Sequence, residues 1–146
     1  MANRLTIEDV RGSLPADLAI LREHAAAEGY GFLERLADQW SDGAVTFEAP
    51  GEALLVARFQ DAIAGVGGIT VDPFDPEALR MRRFYVHPVH RRRGVAQTLA
   101  TALIRDALKT GRPLYVNAGT AVAPDFWEKM GFIPVKGERH SHTFAA

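Results

Sequence analysis

The segment from Phe84 to Ala96 contains residue types that could bind a phosphate group. An apolar strand ends at Val86, and three arginines (Arg91–Arg93) and Gly94 precede an amphipathic helix. The first backbone N–H groups of a helix have no partner within it, and the helix dipole places partial positive charge there. Gly94 and Ala96 keep the approach to that backbone free of large side chains. The segment therefore predicts a seat for a phosphate or pyrophosphate group.

The pattern Arg-x-x-Gly-x-Ala, from Arg91 to Ala96, resembles the signature of the GCN5-related N-acetyltransferase (GNAT) family, whose members bind acetyl-coenzyme A (acetyl-CoA). The likeness runs from about Ala53 to Phe132, over half of the chain. It includes Val-x-Pro before the signature and a Phe126–Phe132 segment that ends in Gly-Phe after it. The resemblance implies acetyl-CoA as co-substrate and transfer of its acetyl group to an amine by direct attack on the thioester.

The resemblance also implies cofactor contacts along the signature strand and the loop after it. In the family, this strand and the next splay apart, and the pantetheine arm pairs with the exposed backbone, here that of Phe84–Val86. A backbone N–H near Val86 would polarise the thioester carbonyl, which makes Val86 a predicted catalytic position. The cofactor-binding residues expected in this way are Phe84, Tyr85, Val86, Arg91, Arg92, Arg93, Gly94, Val95, Ala96, Gln97, Asn117, Phe126 and Trp127.

Asn117, at the end of the next strand, is the second predicted catalytic residue. Its amide could bond the pantetheine arm or hold the two strands apart, and a simple turn asparagine is the alternative. Aligned on Gly131–Phe132, Thr120 and Ala123 occupy the family's asparagine and alanine positions. Trp127 occupies the position of the tyrosine that usually protonates the departing thiolate. An indole N–H has no useful acidity near neutral pH, so no general acid is identified.

The general base is also open, because the strand Leu79–Val86 offers no carboxylate, where the family often has one. The candidates elsewhere are Glu28, Glu34, the acids of residues 72–77, His140 and His142. Tyr85 and Tyr115 could line the cavity. A water chain could also serve, since a primary amine need lose only one proton. Two histidines without further ligands do not make a metal site, so none is predicted.

Charge is distributed unevenly, and the two halves suggest different acceptors. Residues 1–77 contain 5 Lys/Arg and 14 Asp/Glu, whereas residues 78–146 contain 12 Lys/Arg and 4 Asp/Glu. The basic half would attract the phosphates of coenzyme A. Acids on the first two predicted helices favour a cationic amine, while Arg80, Arg82 and Arg83 favour a carboxylate or phosphate. A small-molecule amine and a peptide or protein amine both remain open.

Length and composition predict one domain over residues 1–146, and the resemblance implies that it is an N-acetyltransferase domain. The chain is 47% hydrophobic and 24% charged and contains no cysteine, which excludes disulfides, thiolate metal sites and a cysteine nucleophile. It contains no apolar run near the roughly 20 residues that span a bilayer and no secretory h-region at its N-terminus. We expect a cytoplasmic enzyme without membrane or nucleic-acid partners. The resemblance leaves a homodimer open.

The elements that must position these residues follow from hydrophobic periodicity. The predicted strands are Leu5–Ile7, Ala53–Phe59, Ile63–Val71, Leu79–Val86, Leu114–Asn117, Phe132–Val135 and Ser141–Phe144. The predicted helices run from an N-cap at Ser13 to about Ala27, from Phe32 to Trp40, from Gly94 to Lys109 and from Pro124 to Met130. This order predicts an α/β (α+β) fold, a mixed sheet with helices on both faces. The resemblance implies the GNAT-like acyl-CoA N-acyltransferase fold, whose central strands splay.

Two other functions compete with an acetyltransferase. Trp127 in the tyrosine position leaves open a non-catalytic sensor or regulatory module that binds an acyl-CoA without turning it over. The arginines from Arg80 to Arg93 would suit a nucleic-acid-binding domain. The acidic half and the lack of an interleaved aromatic and basic face count against that third function.

Overall fold

A computed structural model describes residues 4–118, 122, 124–137 and 139–145 of the chain, and within them the predicted order of strands and helices is confirmed. The elements are β1 (Leu5–Asp9), α1 (Leu18–Ala27), α2 (Phe32–Asp42), β2 (Ala53–Phe59), β3 (Ala62–Val71), β4 (Leu79–Val86), α3 (Val95–Leu108), β5 (Leu114–Val116), α4 (Pro124–Lys129), β6 (Phe132–Pro134) and β7 (His142–Phe144). A short 3₁₀ turn, Pro88–His90, lies between β4 and α3.

The strands form one mixed sheet in the order β1-β2-β3-β4-β5-β7-β6. β4 and β5 pair in parallel, and the other neighbours are antiparallel. A parallel pair needs a crossover, and α3 supplies it. The last two strands form a hairpin, and β7 lies between β5 and β6. The sheet therefore places β4, the strand that precedes the signature, at its centre.

Helices cover both faces of the sheet and bury one apolar cluster on each. On one face, α3 packs Leu99 and Leu103 against a cluster that includes Met81 and Phe84 of β4. On the other face, α1 and α2 cover a second cluster, to which β4 contributes Tyr85. Successive side chains of a strand point to opposite faces, so β4 serves both clusters.

Helix α1 begins later than predicted, at Leu18, and Ser13 is not its N-cap. Asp17 holds that position, but its side chain makes no capping bond. Instead, the Asp17 carboxylate accepts a 3.0 Å hydrogen bond from Arg58 on β2. An ion pair with a neighbouring strand therefore takes the place of the cap, which a local sequence pattern does not reveal.

The glycines of β3 mark positions where neighbouring elements approach the sheet closely. A Cβ at Gly65 would lie 2.7 Å from Val95 Cγ1, and one at Gly67 would lie 2.7 Å from Phe84 Cε2. Both distances are too short for real carbon atoms, so glycine lets the start of α3 and the Phe84 ring lie against the sheet. None of the described helices is long and apolar enough to cross a membrane.

Candidate active site

β4 and β5 separate after a short paired segment. Their parallel pairing covers Leu79–Met81 of β4 and ends where Met81 meets Val116. β4 continues to Val86 and stays paired with β3 on its other edge. On the β5 side, residues 82–86 have no partner strand within the described chain. The backbone polar groups on that edge are therefore available to a ligand, except Val86 O, which accepts a hydrogen bond from Arg91 Nε at 3.1 Å.

A β-bulge lies at the start of this free edge. The pairing of β3 with β4 shifts between Val66 and Gly68, opposite Arg83, which adopts a left-handed φ of 65°. A bulge adds one residue and re-aims the side chains beyond it. Phe84 consequently faces the α3 side, where its ring lies 4.9 Å from the ring of Trp127. The bulge thus sets which side chains border the gap between the strands.

The loop after β4 ends in an open helix N-terminus. Gly94 has φ 79°, and α3 begins at the next residue and runs for 14 residues. A Cβ at Gly94 would meet nothing within 4 Å in the described part of the chain. Thr98 N–H donates to Gly94 O at 3.0 Å, and the N–H groups before it lack intrahelical acceptors by helix geometry. The geometry fits an anion seat, as the sequence predicts.

Two neighbouring cavities make up one cleft along the free edge of β4. The larger, about 340 Å³, is lined by Phe32, Arg35, Arg80, Met81, Arg82, Arg83, Phe84, Val116, Asn117, Val122 and Trp127. The smaller, about 270 Å³, is lined by Val86, Arg91, Arg92, Gly94, Val95, Ala96, Gln97, Val122 and Phe126. Val122 borders both. Every predicted cofactor contact except Tyr85 and Arg93 lines one of them.

The side chains of Tyr85 and Arg93 lie outside this cleft. Tyr85 is 1% exposed on the α1/α2 face, and its hydroxyl donates a hydrogen bond to Glu28. The Arg93 guanidinium stacks over Phe59, 4.1 Å from the ring centroid, and lies 3.1 Å from His90 Nδ1. Any cofactor contact from these two residues is therefore expected from their backbone.

The Arg91 side chain lines the smaller cavity, but hydrogen bonds to other residues of the chain already occupy its nitrogens. Its two terminal nitrogens donate to Glu28 at 2.9 and 2.6 Å, and its Nε donates to Val86 O at 3.1 Å. Arg91, followed by the Tyr85 hydroxyl, lowers the pKa of Glu28 to about 2. Arg92 makes no ion pair with the described carboxylates and has a left-handed φ of 65°. Arg92 is therefore the freer of the two side chains.

Four arginines surround the α2 side of the larger cavity: Arg35 from α2, and Arg80, Arg82 and Arg83 from β4. Burial, followed by repulsion from neighbouring arginines, lowers the pKa of Arg82 and of Arg83 to about 10. Burial likewise lowers the pKa of Arg80. The sequence singled out the three strand arginines but not Arg35. Only the packing of α2 over β4 brings it to them.

Comparisons with known proteins agree with this geometry. A family model described as the acetyltransferase (GNAT) family matches residues 18–132. The chain belongs to the GNAT acetyltransferase family. It is therefore an acetyl-CoA-dependent acyltransferase, and the family predicted from the signature is confirmed. Comparison with curated protein sequences gives no significant match.

Solved structures share the GNAT fold. A protein of Exiguobacterium sp. 255-15 described as an acetyltransferase is 26% identical, with a TM-score of 0.86 over 97% of this chain and 93% of that one. A GNAT acetyltransferase of Elizabethkingia anophelis with acetyl-CoA bound is 18% identical (TM-score 0.63; 92% and 80% covered). The yncA protein of Salmonella typhimurium, described with its cofactor acetyl-CoA, is 17% identical (TM-score 0.65; 95% and 90% covered). The predicted fold is thus confirmed.

The candidate general bases of this GNAT protein lie outside the cleft. Glu34 bonds Arg22 at 2.9 Å, which lowers the pKa of Glu34. Asp72 bonds His140 at 2.8 Å, and His142 bonds Glu128 at 2.8 Å. Tyr115 stacks on His140, with ring centroids 4.0 Å apart. The described lining of the two cavities contains no carboxylate, imidazole or phenol.

Asn117 and Trp127 hold the walls of the cleft. Asn117 Nδ2 donates to Arg139 O at 2.8 Å, and its Oδ1 accepts from Ser141 N at 2.9 Å. Its amide therefore fastens the end of β5 to the segment before β7. Trp127 is 2% exposed and packs edge-on against Phe84, Phe126 and Phe132. The aligned positions Thr120 and Ala123 lie outside the described residues.

No cluster of three or more His, Asp or Glu side chains suited to a metal ion occurs in the described segments.

Proposed function

We propose that the protein transfers the acetyl group of acetyl-CoA to a primary amine by direct attack of the amine nitrogen on the thioester carbonyl. The observation that carries this proposal is the cleft itself. It runs from the open N-terminus of α3, along the unpaired edge of β4, to the larger cavity between α2 and β4, where we place the amine.

The residues of the cleft fit the parts of acetyl-CoA in order. The first N–H groups of α3 and the Arg92 side chain would hold the pyrophosphate, since Gly94 leaves that approach open. Residues 82–86 would pair through their backbone with the amides of the pantetheine arm. Phe126 and Trp127 would form the apolar wall behind that arm.

The reaction forms a bond from the amine nitrogen to the carbonyl carbon and breaks the bond from that carbon to sulfur. A backbone N–H near Val86 would donate to the carbonyl oxygen as negative charge develops there. One well-placed donor of this kind contributes about 3 kcal/mol. The sulfur leaves as a thiolate and takes a proton from water, because Trp127 has no acidic proton to give. Asn117 supports the reaction by holding the β5 wall in place.

The amine must be neutral to attack, and the described lining of the cleft contains no general base. We infer that positive charge in the cleft, in place of a general base, keeps the amine neutral. Nearby cations disfavour a protonated amine and lower its pKa, so a larger fraction is neutral at working pH. Arg80, Arg82 and Arg83 would supply this field, and the released proton would leave through water.

The test is release of coenzyme A thiol from acetyl-CoA in the presence of a panel of amines, with the acetylated product identified by mass spectrometry. Transfer to at least one amine, dependent on both substrates, is the expected result. Tight binding of acetyl-CoA without transfer to any amine would contradict the proposal and would favour the acyl-CoA sensor instead.

A further inference from the structure

The four guanidinium groups that border the larger cavity are positive charges without a matching negative charge. None of Arg35, Arg80, Arg82 and Arg83 forms an ion pair with any described carboxylate. By contrast, other arginines of the chain do, as Arg22 pairs with Glu34 and Arg58 with Asp17. The cavity therefore brings together four arginines that pair with no described carboxylate.

The hydrogen-bond partners of these arginines are few and neutral. Arg83 Nη2 donates to Gln39 Oε1 at 2.9 Å, and Arg82 Nη1 lies 3.4 Å from Thr70 Oγ1. The Nε atoms of Arg82 and Arg83 are buried without any partner among the described residues. A buried donor without an acceptor costs free energy, so a ligand that accepts hydrogen bonds from these two Nε atoms would be stabilised here.

The nearest acids do not supply what is missing. Glu52 and Asp72 are the carboxylates whose charge reaches Arg82. Glu52 accepts hydrogen bonds from the backbone N–H groups of Val71, at 2.9 Å, and Ala49, at 3.2 Å. Asp72 is bonded to His140. Neither acid lines the cavity. Burial without a counter-ion is accordingly the main cause that lowers the pKa of Arg82 and Arg83.

We propose that the acceptor amine carries an oxyanion group, a carboxylate or a phosphate, and that Arg35, Arg80, Arg82 and Arg83 bind it. This inference rests on the proposed function. The planar guanidinium fork suits both oxyanions and binds them through paired hydrogen bonds. The amine end would then point to the free edge of β4. The coenzyme's pyrophosphate has a separate seat at Gly94, so the cleft has an anion site toward each end.

The size and charge of the chamber define the acceptor class further. The chamber has a volume of about 340 Å³ and is lined in part by Phe84 and Trp127. The coenzyme arm would pack against the same two side chains and fill part of this volume. The space left for the acceptor is therefore small. A polyamine would place cations against unpaired arginines and would be repelled. The acceptor class is therefore a small amino acid or an aminoalkyl phosphate.

The first test compares acceptors that differ only in the oxyanion. Phosphoethanolamine is paired with ethanolamine, glutamate with its diamide and alanine with its amide, while spermidine represents polyamines. Rates are normalised to the concentration of neutral amine. We expect kcat/KM to be at least about tenfold higher for the anionic member of a pair, as is typical of a charged hydrogen bond. The phosphate and carboxylate pairs show which oxyanion is preferred.

The second test removes the arginines. Arg35→Gln changes an exposed residue on α2, so the variant should fold, and Arg82→Gln removes a part-buried one. Both should raise the KM for the anionic acceptor about tenfold and reduce its advantage over the uncharged partner, while the KM for acetyl-CoA stays unchanged. Arg105→Gln, an exposed arginine on α3 outside the cleft, is the matched control and should change neither.

A binding measurement separates this inference from the proposed function. Calorimetry with coenzyme A-saturated protein tests phosphoethanolamine and glutamate directly, with Arg35→Gln and Arg82→Gln as comparison. Binding that weakens in these variants supports the anion site even if no amine is acetylated. Equal or better turnover of spermidine or of the uncharged partners would overturn the inference and leave the acetyltransferase intact. Absence of anion binding in the wild type would overturn it as well.

Discussion

The guanidinium of Arg91 and the carboxylate of Glu28 join two parts of the molecule that lie 63 residues apart, through hydrogen bonds of 2.9 and 2.6 Å. Glu28 follows α1, and Arg91 lies in the loop that leads to α3. Arg91 also donates to Val86 O, at the end of β4. The ion pair therefore ties the loop that we predict to bind phosphate to the end of α1.

Glu28→Gln should weaken this ion pair and lower the melting temperature by an amount that depends on pH. The pKa of Glu28 is lowered to about 2 by Arg91 and Tyr85, so its contribution to stability is complete above about pH 4.5 and is lost as pH falls toward 2. The melting temperature of the wild type should exceed that of Glu28→Gln at pH 6, and the difference should shrink as pH approaches 3. Glu23→Gln, an exposed change within α1, is the control. A difference that does not depend on pH would contradict this account.

Gly94→Glu should abolish binding of acetyl-CoA while the domain stays folded. The substitution places bulk and negative charge at the predicted phosphate seat, where a Cβ meets nothing else in the described chain. It also costs roughly 1–2 kcal/mol of stability, because φ at Gly94 is 79°. Binding is measured by calorimetry and folding by thermal denaturation.

Gly111→Glu is the matched control for this strain. Gly111 has φ 72° and similarly open surroundings in the described chain, but it lies past the other end of α3. It should lose similar stability and bind acetyl-CoA normally. Undiminished binding of acetyl-CoA by Gly94→Glu would show that the loop at Gly94 does not bind its phosphates.

Trp127→Phe should lower stability but leave kcat within about threefold. The indole has no proton suited to the leaving thiolate, so its loss should not slow transfer. It is buried against three phenylalanines, and trimming it leaves a small cavity that costs on the order of 1–3 kcal/mol. Steady-state kinetics and urea denaturation measure the two effects.

The comparison for Trp127→Phe is Trp40→Phe, which removes an indole that donates to Gly12 O at 3.0 Å, away from the cleft. It should also cost stability without changing kcat. A hundredfold loss of kcat in Trp127→Phe alone, with acetyl-CoA affinity retained, would mean that the indole N–H takes part in transfer.

The dependence of kcat on pH should report the acceptor amine and not a protein base. Because the described lining of the cleft holds no carboxylate or imidazole, kcat should rise with pH and level off at the pKa of the bound amine. Arg82→Gln should move that pKa upward by weakening the positive field. Glu34→Gln should leave the profile unchanged, since Glu34 pairs with Arg22 outside the cleft. A profile that changes in Glu28→Gln or in His140→Gln would identify a protein base instead.

Much of the fold could be predicted because its signals are local. Alternation and apolar runs mark the strands, and Gly94 and Gly111 bound α3. The prediction of Ser13 as an N-cap was wrong, although its local sequence resembles one. Helix α1 begins at Leu18, and Asp17 before it pairs with Arg58 of β2, a contact that the local sequence does not reveal. The bases proposed for the site illustrate the same limit, since Glu34, Asp72 and His142 all bond partners away from the cleft.

By itself, the amino-acid sequence determined the order of elements and the family, and it predicts the seat for phosphate at Arg91–Ala96. Each of these features depends on the types and spacing of residues that are close together in the sequence. Only the tertiary structure decided that Arg35 joins the three arginines of β4, that Glu28 takes the Arg91 side chain, and that Asn117 binds the segment before β7. Such contacts join residues far apart along the chain. They depend on how the helices pack over the sheet, and no local pattern encodes that packing.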